Sequence, residues 1–192
     1  MLRVEYDLYN HQPPMTDEEL IRSALDDRQA SFAELVQRHK STVFRMASRF
    51  AGDSHQLDDL AQEIFIRVWR NLGKFRGDAP FEHWLARIAT HACYDFLRKK
   101  RRSGIHVPMD AHHAEIPDTP TSTAAAEARE RLDLAMQKLS PEERLVITLA
   151  ELEEKSLRDI AVMTGWSEGN VKIRAFRARQ SLKKILETTH ER

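Results

Sequence analysis

Apolar residues recur at intervals of three and four along two stretches of the chain, from about Thr16 to Arg102 and from about Ala124 to Leu186. That period lines one face of an α-helix. In the first stretch, Thr16 with Glu19 three positions on forms a capping box that opens a helix through Leu20, Ile21, Ala24 and Leu25. A second helix spans about Ala30 to Phe50 with Phe32, Leu35, Val36, Val43 and Ala47 apolar, and Gly52, Asp53 and Ser54 stop it. The third carries an unbroken stripe of Leu57, Leu60, Ala61, Ile64, Phe65, Val68, Trp69 and Leu72, and Gly73 ends it. After Phe75 to Pro80, a fourth sets Phe81, Trp84, Leu85, Ile88, Ala89, Ala92, Cys93 and Phe96 on one side and runs out through Arg98, Lys99, Lys100, Arg101 and Arg102. Trp69, Trp84, Phe65 and Phe96 lie on these stripes and are expected in the core.

The second stretch begins with an Ala-rich helix from Ala124 to about Leu139. Ser140, Pro141 and Glu143 then supply an N-cap, a proline at the first helical position and an acid at the third, predicting a helix through Leu145, Val146, Leu149 and Leu152. Ser156 caps a short helix through Leu157, Ile160 and Ala161, Thr164 and Gly165 make a turn, and Ser167 caps a last helix to about Leu186. Between the stretches, Ser103 to Thr123 holds Gly104, Pro108, Pro117 and Pro120 among His, Asp, Thr and Ser, with too little apolar surface to offset ordering. It reads as a flexible linker reaching about 25 Å as a random coil. The expected fold is all-α: two small helical domains, 16–102 and 124–192, joined by the flexible linker 103–123 and preceded by an extension, 1–15.

Composition narrows the function. Lys plus Arg and Asp plus Glu are 30 each, so the net charge is zero and a uniformly basic nucleic-acid coat is excluded, although the signs are segregated along the chain. The single cysteine, Cys93, excludes an intramolecular disulfide and a CxxC zinc site and fits a reducing compartment. No apolar run approaches the ~20 residues that span a bilayer, and Met1 to Pro14 is polar without a signal-peptide core, so a cytoplasmic protein is expected. Six glycines, none in a Gly-rich turn between strands, disfavour a nucleotide-binding α/β fold. No catalytic constellation is present, and no cofactor is expected.

The candidate chemistry lies in charge placed on helices. Ala161, Gly165 and Val171 have helix-turn-helix spacing: a small residue for close approach, a glycine for the turn and an apolar anchor. From Lys172 to Lys184 there are six basic residues and no acid, which suits a helix in the major groove. Asn170, Lys172 and Ile173, with Phe176 and Arg177 one turn on, would face base edges, while Arg174 or Arg179 holds phosphate or packs. The helix upstream is opposite in sign, with Glu142, Glu143, Glu151, Glu153 and Glu154 against Arg144, and faces either solvent or a basic partner. Arg98 to Arg102 exceeds what pairing with a helix dipole needs. The polar face of the same helix, His83, Arg87, Thr90, His91, Tyr94, Asp95 and Arg98, mixes aromatic and hydrogen-bonding groups with cations, as single-stranded nucleic acid requires. On the third helix, Asp58, Asp59, Gln62, Glu63, Ile66 and Arg70 lie off the apolar stripe, forming either a solvated face or a dock for a positively charged helix with one apolar contact.

In this order, the segments resemble those of a bacterial extracytoplasmic-function (ECF) sigma factor. Asp59 to Leu72 is similar to sigma region 2.2. Phe75-Arg76-Gly77-Asp78, Phe81 through Trp84-Leu85 to Arg87-Ile88-Ala89, and Asp95-Phe96-Leu97-Arg98 are similar to regions 2.3 and 2.4. Leu139 to Arg144, Leu157 to Ala161, Gly169 to Lys172 and Arg177 to Arg179 are similar to region 4. The resemblance implies that Asp58, Asp59, Gln62, Glu63, Ile66 and Arg70 dock on the β′ clamp helices of core RNA polymerase. It implies that Lys74, Phe75, Arg76, His83, Arg87, His91, Tyr94, Arg98 and Arg101 open the −10 promoter element and hold its single strand. Ser167, Asn170, Lys172, Ile173, Arg174, Phe176 and Arg177 would read the −35 duplex, with the polymerase β flap nearby, the linker would thread toward the RNA exit path, and an anti-sigma factor would mask these surfaces. The chain departs from the family at His91, where many relatives carry Asn, at Asn170, a common Thr, and at Ile173, a common polar residue, so base preference does not carry over. Two other readings stand beside this one: a helix-turn-helix repressor or activator acting on duplex operators without polymerase, and a metal-dependent enzyme or sensor, prompted by nine histidines with His106, His112 and His113 close together in the linker.

Overall fold

A computed structural model describes residues 14–26, 28–103 and 123–190, and among them it has helices and no strand. The linker residues between 103 and 123, with His106, His112 and His113, and the extension before Pro14 lie outside the described residues, whereas Ser103 and Thr123 belong to helix ends.

The first unit consists of α1 (Asp17–Leu25), α2 (Gln29–Ser48), α3 (Ser54–Asn71) and α4 (Phe81–Ser103). The Thr16 hydroxyl accepts from the Glu19 amide at 3.2 Å while the Glu19 carboxylate accepts from the Thr16 amide at 2.7 Å, which is the predicted capping box. Asp53 starts α3 by accepting from the Gln56 amide at 2.7 Å. The stripes then close on one another: Leu20, Leu35, Val43, Phe50, Ile64, Val68, Leu72 and Leu85 are wholly buried, each worth about 1.5–3 kcal/mol of transfer free energy. Two side chains depart from expectation. Trp69 sits at the edge of its stripe, 42% exposed, and rests on Phe32 with ring centroids 4.7 Å apart. Thr90, placed by periodicity on the polar face, is 1% exposed and donates its hydroxyl to the Ala86 carbonyl at 2.7 Å.

The second unit consists of α5 (Thr123–Lys138), α6 (Pro141–Ile147), α7 (Leu157–Thr164) and α8 (Glu168–His190). Ser140 and Ser156 each close a capping box, with Glu143 and Asp159 as the returning acids. Gly165 takes φ 75°, a left-handed turn that a β-carbon disfavours, and Val171 is fully buried behind it. The helix expected to continue through Leu152 instead passes after Ile147 into a π-helical turn, Thr148–Leu152, and Glu154 at φ 52° then breaks the chain direction before α7.

The two units pack against each other. One buried cluster runs without interruption from Leu85, Ala89, Cys93 and Leu97 of α4 to Leu145, Leu149, Ile160, Ala161, Met163 and Val171. A smaller cluster of Met136, Leu139, Ile147 and Ala178 fixes α5 and α6 to α8 on the far side.

Candidate nucleic-acid interface

On the outer face of α3, Asp58, Asp59, Gln62, Ile66 and Arg70 are exposed and Glu63 is half-buried. Glu63 accepts from the Arg67 guanidinium at 2.7 Å, and the same guanidinium donates to Asp95 of α4 at 2.7 Å. Arg67 thereby fixes the acidic face of α3 against the polar face of α4. The predicted dock is one continuous surface, acidic at its N-terminal end and closing on Arg70.

The predicted single-strand surface divides in two. One part is an open groove of about 350 Å³ lined by Arg67, Asn71, Lys74, Trp84, Arg87, Ile88 and His91. Four of the lining groups carry cationic or imidazole nitrogen, beside the flank of an indole, which suits a phosphate with an adjacent base. Arg76, His83, Arg98 and Arg101 are exposed, whereas Phe75 is half-buried. The Phe75 ring meets Phe81 and Trp84 edge-on at 5.6 Å each, so it anchors the loop that carries Lys74 and Arg76. The other part is Tyr94. Its hydroxyl donates to the Glu142 carboxylate of α6, its ring meets Trp166 edge-on at 5.8 Å, and the Arg98 guanidinium lies over it at 5.7 Å. Burial first, and then the bond to Glu142, push the Tyr94 hydroxyl up to about 12. Burial pushes the Glu142 carboxyl the other way, but the Tyr94 bond and the nearby Arg174 and Arg101 outweigh it and hold the carboxyl below its ordinary range.

On α8, Lys172 and Arg177 are exposed, as are Ile173 at 54% and Phe176 at 62%. Ser167 acts as the helix cap, accepting from the Asn170 amide at 3.3 Å. Arg174 is turned inward: its Nε donates to the Asn170 side-chain oxygen at 2.5 Å and its guanidinium lies 4.4 Å from the Trp166 ring centre. The alternative that Arg174 packs is thus the one adopted. Asn170, Ile173, Arg174 and Arg177 line a groove of about 740 Å³ whose opposite wall is Ser140, Glu142 and Glu143.

The acidic helix finds its basic partner within the chain. Glu153 lies between Arg45, at 2.5 Å, and Arg49, at 3.2 Å, both of α2. Glu143 accepts from Ser181, and Glu151 pairs with Arg179 at 2.6 Å. Arg45, Arg49, Arg144 and Trp166 were not singled out for this role by sequence, because helical period records which face is apolar but not what covers it. Among the described residues no three His, Cys, Asp or Glu gather as a metal would require. Cys93 is wholly buried, and burial drives its thiol far above the ordinary range.

Residues 35–103 match the Sigma-70 region 2 family model, and residues 129–182 match Sigma-70, region 4. The ECF RNA polymerase sigma factor SigE of Mycolicibacterium smegmatis is 34% identical over 81% of this chain, which spans 62% of that longer relative. The RNA polymerase sigma-H factor of Pseudomonas aeruginosa is 31% identical, with 89% of this chain and 94% of the relative covered. Among solved structures, CnrH in complex with the cytosolic domain of CnrY is 27% identical with a TM-score of 0.59, covering 90% of this chain and 97% of CnrH. With two region models matched in order and relatives above 30% identity along nearly their whole length, the chain belongs to the ECF RNA polymerase sigma factors.

Proposed function

We propose that this sigma factor divides its work between its two helical units. Residues 16–102 bind core polymerase through Asp58, Asp59, Gln62, Glu63, Ile66 and Arg70 and hold the opened −10 strand along Lys74, Arg76, His83, Arg87, His91, Tyr94, Arg98 and Arg101. Residues 124–192 read the −35 duplex with Asn170, Lys172, Ile173, Phe176 and Arg177, and Arg174 joins once it leaves Trp166. Phe75 positions the loop, and Ser167 caps the reading helix. The polymerase performs the chemistry, in the cytoplasm, and an anti-sigma protein holds the factor in reserve, as CnrY accompanies CnrH in the similar structure.

One observation carries this reading: α8 presents Lys172, Ile173, Phe176 and Arg177 outward behind a turn set by Gly165, while α3 presents carboxylates outward on the other unit. Opposite charges on separate faces suit two different partners, a polyanion and a basic helix. Run-off transcription with purified core enzyme on a promoter library tests it. Asp59→Lys with Glu63→Lys is expected to abolish promoter-directed transcripts by removing core binding, while Lys172→Ala with Arg177→Ala keeps core binding and loses promoter choice. If the unmodified chain left the start sites of core enzyme unchanged, or bound an operator duplex tightly without it, the repressor reading would replace this one.

A further inference from the structure

The groove between α3 and α4 supplies hydrogen bonds of one kind. Arg67 donates Nε to Glu63 and Nη1 to Asp95, both at 2.7 Å, and its Nη2 hydrogens have no partner among the described residues. Lys74 donates to the Asn71 side-chain oxygen at 2.9 Å, which leaves its ammonium further hydrogens to give. Asn71 in turn donates its side-chain nitrogen to the Arg67 carbonyl at 2.8 Å. The one amide in the lining is therefore held at both ends, with its oxygen already accepting from a cation. Arg87 and His91, both exposed, have no partner among the described residues. Trp84 and Ile88, half-buried, complete the wall with apolar surface.

A guanidinium and an ammonium only donate, and a neutral imidazole adds one donor and one acceptor. The described lining thus offers N–H groups in excess and one uncommitted side-chain acceptor, on His91. A guest is matched when it accepts at several points, donates at one and carries an apolar edge. A phosphate accepts but gives Trp84 and Ile88 nothing to cover. Adenine and cytosine each bring an exocyclic amine with two hydrogens, and guanine brings an amine and a ring N–H, so each would set donors against donors. Thymine accepts at O2 and O4, donates only at N3 and carries a methyl group. A polar group left unpaired in this setting costs about tenfold in binding.

We propose that the groove is a thymine site. One unpaired thymine of the −10 strand enters it, O2 and O4 accept from Arg87 and from Arg67 or Lys74, N3–H donates to the His91 imidazole, and the methyl group lies against Trp84 and Ile88. Asn71 is a positioning residue, tying Lys74 to the helix that carries Arg67. The presence of a strand rests on the −10 assignment above; the base is named by the lining alone.

The test uses holoenzyme assembled from the full chain and core enzyme, with transcripts selected from a promoter library randomised across the −10 element. Thymine is expected to be enriched about tenfold at one position. Arg87→Glu exchanges a donor for an acceptor and is expected to turn that position alone toward cytosine or adenine, a change that a misfolded or weakly binding variant does not produce. Single-stranded oligonucleotides with that thymine replaced by analogues separate its edges on the unmodified holoenzyme. Deoxyuridine, lacking the methyl group, should bind about threefold more weakly, since about one buried methyl is lost. 5-Methylcytosine keeps the methyl but carries an amine in place of O4, and should bind about tenfold more weakly. Equal affinity for thymine and 5-methylcytosine overturns the proposal, whether or not Arg87→Glu holoenzyme is active. If the position that responds to Arg87→Glu favours another base in the unmodified factor, thymine is wrong and the −10 assignment of the groove stands. If no position responds while promoter-directed transcription persists, the groove holds no base and that assignment fails with it.

Discussion

The guanidinium of Arg144 donates to the main-chain carbonyl of Phe50 at 3.3 Å, across 94 positions of sequence. That carbonyl and its neighbour on Arg49 end α2 without a helical acceptor role to fill, so a cation from α6 completes them as a C-terminal cap would. Burial lowers the pKa of Arg144 and, with Arg144 beside it, that of Lys100, as two cations sharing a half-buried region must.

Arg144→Ala should therefore destabilise the chain by about 2 kcal/mol, the usual cost of deleting a buried charged donor. At about 2–4 °C per kcal/mol for a chain of this size, the midpoint of thermal unfolding falls by about 4–8 °C. Arg144→Met keeps the apolar stem and should lose less. Equal losses in calorimetry would mean that the stem contributes nothing, whereas a negligible loss for Arg144→Met would mean that the two carbonyls are satisfied in some other way.

The helix-turn-helix turn makes a separate prediction. Nothing lies within 4 Å of a β-carbon built on Gly165, so Gly165→Ala meets no clash and its cost is conformational, the φ of 75°. About 1 kcal/mol is expected from the left-handed backbone, and Gly165→Asn should recover part of it. Ser156→Ala, removing the cap and half of the box with Asp159, should cost about 1 kcal/mol. The residues are more than one turn apart, and urea midpoints of the double variant should be close to additive.

The Tyr94–Glu142 contact predicts a pH window. A carboxyl held below its ordinary range stabilises the fold above its unfolded pKa, and this contribution is lost as pH falls through the folded value, so below about pH 4.5 Glu142 weakens the seam with Tyr94 and Glu143 weakens the capping of α6 and its bond to Ser181 of α8. A hydroxyl raised from 10 to about 12 stabilises fully below 10, and this is lost as pH rises between those values. Thermal midpoints of the unmodified chain and Tyr94→Phe should therefore diverge at neutral pH and converge by about pH 12. A constant difference across that range would remove the hydrogen bond from the account.

What could be read from the sequence was local. The boxes at Thr16 and Ser140, the stripe from Leu57 to Leu72 and the turn at Gly165 each depend on residues within a turn or two, and all are observed. Trp69, Thr90 and the end of α6 depart from the pattern because tertiary neighbours decide them: Phe32 meets the indole at a tilt, Thr90 sits on α4 where that helix packs against other elements, and the π-helical turn precedes Glu153, which meets Arg45 and Arg49. The site was legible as types of residue on faces. The contact between the two units was not, since Arg45 and Glu153 stand 108 positions apart and nothing in either segment's period names the other.

The last prediction concerns the division of labour on α8. Lys172 and Arg177 are exposed cations, whereas Phe176, next to Arg177, is 62% exposed and apolar, an arrangement that solvent alone does not favour. In the holoenzyme, Lys172→Ala with Arg177→Ala should reduce discrimination at the base pairs these side chains face and, because two cations near the phosphates are lost with them, also lower the steepness of log K against log salt by up to about 2. Phe176→Ala should leave that slope unchanged and reduce discrimination at one base pair, since an apolar contact with a thymine methyl carries sequence information but no counterions. Filter binding over a salt series, with each variant tested on the preferred and singly substituted promoters, separates the two effects. A shallower slope for Phe176→Ala, or an unchanged one for the double variant, would reverse the roles assigned to the two kinds of side chain.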